Sequence, residues 1–195
     1  MEKQTKSLIS VKGNQQLVTL SKEAWLKECS PLNIARICRK VNSIEKVFEA
    51  DLPSLAKVRK QYGADFTEAY IAIWITNLVD FVSVGKKMGE QQIYETAMFI
   101  AEEYFMLTIA DINMVFQGIK KGKYGQLYDR IDGTIILSCF KQYFDERCAT
   151  AESISLREHD KTKKDTFERY SGSTKSLIKE ASDRYKKEQL TNLKK

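Results

Sequence analysis

The chain has 195 residues, 43% of them hydrophobic, with 32 Lys/Arg against 26 Asp/Glu and a formal net charge of +6. Two Pro and nine Gly are too few for an all-β protein, which must turn about every ten residues. Four cysteines without CxxC spacing and a single His argue against a zinc site, and point to reduced thiols in an intracellular protein.

The first twenty residues are polar, with weak apolar alternation at Leu8, Val11, Leu17, Val18 and Leu20. They contain no continuous apolar h-region, so no signal peptide is expected. Ser21 is placed to cap a helix that turns Trp25 and Leu26 to the core. Pro31 suits the first turn of the next helix, where Ile34, Ile37, Cys38 and Val41 form a stripe that Ile44, Val47 and Phe48 extend. Pro53 is expected to begin a short helix that Gly63 ends.

From Phe66 to Met88 apolar residues fall on nearly every helical face, as in the central helix of a bundle. The apolar stretch Ala69 to Val84 is interrupted by Asn77 and Asp80 and falls short of the ~20 residues that span a bilayer, so no membrane partner is expected. Glu90 to Met106 is amphipathic, with Ile93, Ala97, Ile100, Ala101 and Tyr104 on one face. Thr108 is the next cap, with Asp111 three residues on as an acidic approximation to a capping box. The helix from Thr134 to about Ala151 buries Ile135, Ile136, Cys139, Phe140, Tyr143 and Phe144. After Ala151 the sequence reads as a linker or loosely formed helix, followed by a helix-prone stretch with a thin stripe at Leu177, Ile178, Ala181, Tyr185 and Leu190.

The fold expected from this pattern is all-α, an orthogonal or irregular bundle of six to seven helices with a charged helical C-terminal tail. Residues 1–20 form a polar N-terminal arm, residues 21–150 the helical domain, and residues 151–195 the charged linker and tail helix. The tail carries twelve Lys/Arg and eight Asp/Glu, so its excess charge is of mixed sign.

The candidate site is the loop GIKKGKYGQLYDRIDG, where Lys120, Lys121, Lys123 and Arg130 stand beside Tyr124 and Tyr128. Cations that meet phosphates next to rings that stack on bases are the chemistry of a nucleic-acid contact. The same residues also read as a capped turn, with Gly122 ending a helix and the lysines at the negative end of its dipole. No GxxxxGK[ST] is present, so the loop is not a phosphate-cradling P-loop. A calcium loop aligned on Gly133 would put Tyr128 and Cys139 at ligand positions, and is rejected. Glu102, Asp129 and Asp145 would hold magnesium only if tertiary structure gathered them. Arg36, Arg39 and Lys40, and Lys57, Arg59 and Lys60, are two further basic groups that matter if they lie beside the loop. His159, among charges in the tail, anchors no catalytic arrangement.

The segment LTIADINMVFQGIKKGKYGQLYDRIDGTIILSCFKQYFDER resembles a group of uncharacterised helical proteins from phages and integrated mobile elements of gut Bacteroidetes-type bacteria. The pattern falls on Leu107, Thr108, Asp111, Phe116, Gly122, Tyr124, Gly125, Asp132, Gly133 and Arg147, and the resemblance extends over roughly residues 50–150. The phage setting implies roles such as replication initiation, helicase loading or DNA packaging.

The expected function is therefore that of a non-enzymatic accessory protein of phage or mobile-element DNA metabolism. It would act in the cytoplasm of the bacterial host, without cofactor or metal. Its partners would be DNA, a phage or host replication protein, or further copies of itself. The alternative is a structural or assembly module of a phage that docks through its C-terminal helix.

Overall fold

The computed structural model describes residues 20–125 and 130–192, except for the side chains of 167–171, 173 and 186–192. The N-terminal arm, apart from Leu20, lies outside the described residues. So do Tyr128 and Asp129.

The described chain is all-α, with eight α-helices and one 3₁₀ turn. These are α1 (Lys22–Glu28), α2 (Pro31–Ile37), the 3₁₀ turn Cys38–Lys40, α3 (Ile44–Glu49), α4 (Leu55–Tyr62), α5 (Ala64–Phe81), α6 (Glu90–Glu103), α7 (Ile109–Lys120) and α8 (Gly133–Asn192). Eight helices stand where six to seven were expected, because the stripe from Ile34 to Phe48 is not continuous. The 3₁₀ turn closes α2, Val41 is extended, and Ser43 starts α3 by accepting the Lys46 N–H.

Local chemistry sets the other ends. The Ser21 side chain accepts the Ala24 N–H, and Pro31 occupies the first turn of α2. Pro53 does not begin α4. Its carbonyl accepts the Ile109 N–H at 3.0 Å, while Ser54 caps Lys57. The Leu55 N–H donates to Leu107 O and the Ala56 N–H to Phe105 O, so the two loops entering α4 and α7 satisfy each other's backbone. Gly63 ends α4 with φ 99°, a left-handed value that disfavours any side chain.

α5 ends at Phe81, earlier than Met88, where Val82 turns extended. It buries a broad face through Phe66, Tyr70, Ile71, Trp74, Ile75, Leu78 and Val79, but leaves Ile73 and Phe81 exposed, so it is not enclosed on every side. α6 packs along α5. Rings run through the core in sequence: Trp25 against Tyr70, Tyr70 against Trp74, Trp74 stacked on Phe116 at 5.5 Å, Phe116 against Phe140, and Phe140 against Tyr104. Each such pair adds about 0.5–1.5 kcal/mol beyond the area it buries.

The chain divides into two compact units, the first through Cys148 and the second from Ala149. α8 is one helix from Gly133 to Asn192, so of the two readings of the stretch after Ala151, linker or loosely formed helix, the structure has the helix. In the first unit α8 buries Ile136, Cys139, Phe140 and Tyr143. In the second unit Leu156, Leu177, Ile178 and Tyr185 are exposed, with charged residues around them.

Candidate functional site

The basic-aromatic loop begins as a helix terminus. α7 ends at Lys120, and Gly122 takes φ 73° beyond the Lys121 cap. The Lys123 N–H donates to Gly118 O at 2.9 Å and the Gly122 N–H to Ile119 O at 3.0 Å, the paired bonds of a Schellman closure. These bonds occupy the Gly122 and Lys123 N–H groups.

Three of the four loop cations have partners within the protein. Lys120 Nζ donates to Asn77 Oδ1 at 2.6 Å and lies 5.1 Å from the centre of the Phe81 ring. Its burial holds its pKa below the usual lysine value. Lys123 pairs with Glu146 at 2.7 Å, and Arg130 with Asp132 at 3.2 Å. Lys121 is exposed, with no ion pair among the described residues.

Tyr124 packs inward. A Cβ on Gly118 would come within 2.7 Å of its Cε2 atom, so Gly118 is the space in which this ring lies. The Tyr124 hydroxyl is buried without a hydrogen-bond partner among the described residues, and burial raises its pKa, with the Glu146 charge adding to the effect. Lys123 Nζ covers the ring at 5.3 Å.

Phe81 belongs to this site although its apolar periodicity reads as part of the central core helix, because it is the last residue of α5. Its ring is 60% exposed and lines an open groove of about 470 Å³ together with Val82, Val84, Ile119, Lys120 and Lys121. The Lys57, Arg59 and Lys60 group lies elsewhere. Its helix starts beside Leu107 and leads into the first turn of α5, whereas the last turn of α5, at Asn77 and Phe81, meets Lys120. That group is at the opposite ends of α5 and α7 from the loop.

A second constellation lies at the start of α7. The predicted capping box is present: Thr108 accepts the Asp111 N–H, and Asp111 Oδ2 accepts the Thr108 N–H at 2.7 Å. The other Asp111 oxygen accepts the Tyr143 hydroxyl at 2.6 Å and Arg147 Nε at 2.9 Å. Asp111 is fully buried, and the Arg147 guanidinium lies 4.7 Å from the Phe48 ring centre. Burial, then the Asp111 charge, pushes the Tyr143 hydroxyl far above its ordinary pKa. With both oxygens of Asp111 occupied, this cluster ties the start of α7 to α8. Nor do acids gather for a metal: among the described residues no group of three His, Cys, Asp or Glu is placed to hold an ion. Asp145 pairs instead with Lys141.

The third feature is charge segregation. No Lys or Arg occurs between Lys87 and Lys120, although the chain is basic overall. Within that stretch the outer face of α6 carries Glu95 and Glu102 beside Tyr94, Met98 and Phe99. Tyr94 is 50% exposed and Phe99 42%. No helix among the described residues is long and apolar enough to cross a membrane.

A family model described as a family of unknown function (DUF6633) matches residues 87–192, just over half of the chain, and the chain belongs to that family. No curated protein and no solved structure matches it.

Proposed function

We propose that this protein is a non-enzymatic interaction module, in which a folded helical unit presents a C-terminal helix for docking on a protein partner. The observation that carries this reading is the exposure of Leu177, Ile178 and Tyr185 on a helix whose other described side chains beyond Ile154 are also exposed. A water-facing helix gains most of its stability from packing an apolar face, so a long helix with such a stripe calls for a partner. The test is the double substitution Leu177→Glu/Ile178→Glu in the full chain, followed by isolation under native conditions from cells of the source. Loss of the co-isolated partner with an unchanged circular dichroism spectrum supports the reading. An unchanged complement of partners contradicts it.

A second reading rests on a separate observation, the exposed Phe81 ring beside Lys120 and Lys121. A ring that can stack next to two cations suits single-stranded nucleic acid, and stacking contributes ~1–3 kcal/mol per base. In this reading the protein is an accessory factor of phage or mobile-element DNA metabolism, and Phe81 joins Lys121 in the contact.

A further inference from the structure

We infer that a single-stranded nucleic acid seats a base on Phe81 and runs its backbone along the segment Val82–Lys87, with Lys86 and Lys87 joining Lys121 as phosphate contacts. This path rests on the second reading above and adds to it two residues from a separate part of the sequence.

The segment is a fixed strap. After α5 ends at Phe81 the chain turns extended at Val82. Val82 and Val84 pack against the core and line the groove, and Met88 is buried. Between these anchors the Lys86 carbonyl accepts the Ile131 N–H at 3.2 Å, in a bridge that pairs Lys86 with Arg130. Strap and loop therefore meet at both ends. Lys120 reaches Asn77 and Phe81 at one end, and Lys86 meets Arg130 and Ile131 at the other. From Phe81 to Lys87 an extended chain covers at most about 20 Å, room for several phosphates of one strand.

The charge along this edge has one sign. Phe81–Gly89 and Ile119–Gly125 together hold five lysines and no acid. Lys123 is paired with Glu146 and Arg130 with Asp132, whereas Lys86, Lys87 and Lys121 are exposed, with no ion pair among the described residues. Like charges held together repel, and a polyanion that neutralises them also releases its own counterions. The Phe81 ring, 60% exposed, stands at the head of this line of cations. A duplex keeps its bases stacked inside, so an unpaired base is what such a ring accepts. Contacts to phosphates and to the face of a base tolerate any sequence.

The experiment titrates the full-length chain with a fluorescent oligothymidylate, and with an abasic strand of the same length, over a salt series. The wild-type chain is expected to bind the oligothymidylate with a log–log salt slope of about −0.7 per contact, or about −2 for the three free lysines. Lys86→Gln/Lys87→Gln reduces that slope by about 1.4 with unchanged helicity, since the bridge uses the Lys86 carbonyl and not its side chain. Lys57→Gln/Lys60→Gln, which removes the same charge at the opposite end of α5, leaves the slope as it was. Phe81→Ala weakens oligothymidylate binding by about 5- to 150-fold, the range for one stacked base, and leaves the abasic strand unaffected. A wild-type chain that binds with a slope insensitive to Lys86→Gln/Lys87→Gln, or no more sensitive than to the distant pair, overturns the strap path and leaves the second reading in place. An abasic strand that binds as tightly as the oligothymidylate overturns Phe81 as the seat of a base. No binding of either strand at low salt overturns the path and the second reading together.

Discussion

Asp111 and Arg147 form a nearly enclosed ion pair, Nε to Oδ1 at 2.9 Å, that joins the first turn of α7 to α8 near the end of the first compact unit. The same carboxylate caps α7 and accepts the Tyr143 hydroxyl, so one side chain fixes a helix start and a helix crossing together. Removing one partner of a buried pair leaves the other charge uncompensated, at a cost of about 3–5 kcal/mol. Arg147→Met and Asp111→Asn are each expected to lower the unfolding free energy, read from urea titration, by an amount in that range. Their double variant should lose less than the sum, since neither then strands a charge. Additive losses in the cycle would show that the pair is not coupled.

Two glycines are occupied space. Gly118 faces the Tyr124 ring, and a Cβ on Gly133 would run into Thr96 Oγ1. Gly118→Ala and Gly133→Ala should each destabilise by about 1–3 kcal/mol through overpacking. Tyr124→Leu should relieve the first and Thr96→Ala the second. Failure of either rescue in thermal denaturation would mean that the glycine is required for another reason.

The cysteines predict an alkaline limit. Burial pushes the Cys29 thiol up to about 12 and Cys38 to about 11, from an ordinary 9.0. A folded-state pKa raised in this way gives stability that is complete below about pH 9 and is lost as pH climbs toward 11 to 12. The unfolding free energy should therefore fall above pH 9, with a shallower slope in Cys29→Ala/Cys38→Ala. At neutral pH a maleimide should label the exposed Cys148 and spare the three buried thiols until the chain unfolds. Rapid labelling of Cys29 in the native protein would contradict this packing.

The nucleic-acid reading has its own signature. If Phe81 and Lys121 touch a single strand, Phe81→Ala should weaken binding of a fluorescent oligonucleotide by about 1–3 kcal/mol at any salt concentration. Lys121→Glu should instead flatten the salt dependence, by about 0.7 in log–log slope for a single-strand phosphate contact. No binding of the wild-type protein at low salt would remove this reading.

The parts of the fold visible in the sequence are those written in short range. Ser21, Pro31, Gly63 and the Thr108–Asp111 box each mark a helix end within three or four residues, and the structure has them there. The stripe from Ile34 to Phe48 misleads because apolar periodicity continues across a break that only the Val41 backbone and the Ser43 cap reveal. Asp111 shows the limit most clearly. Its role as a cap is legible, but its bonds to Tyr143 and Arg147 cross 32 and 36 positions and leave no local trace. The loop cations are similar: composition shows four charges, whereas Asn77, Glu146 and Asp132, which occupy three of them, come from other elements or from the turn beyond. Tyr128 lies outside the described residues.

The central claim, that the C-terminal helix is a docking element, is tested most directly by a photo-crosslinking amino acid placed at Ile178 in the full chain and irradiated in living cells. The same probe at Lys163, in the polar middle of the tail, serves as the control. The account predicts a discrete cross-linked protein species from position 178, absent from position 163 and lost when Leu177 is changed to Glu. Equal, diffuse labelling from both positions, or none from 178, would contradict it.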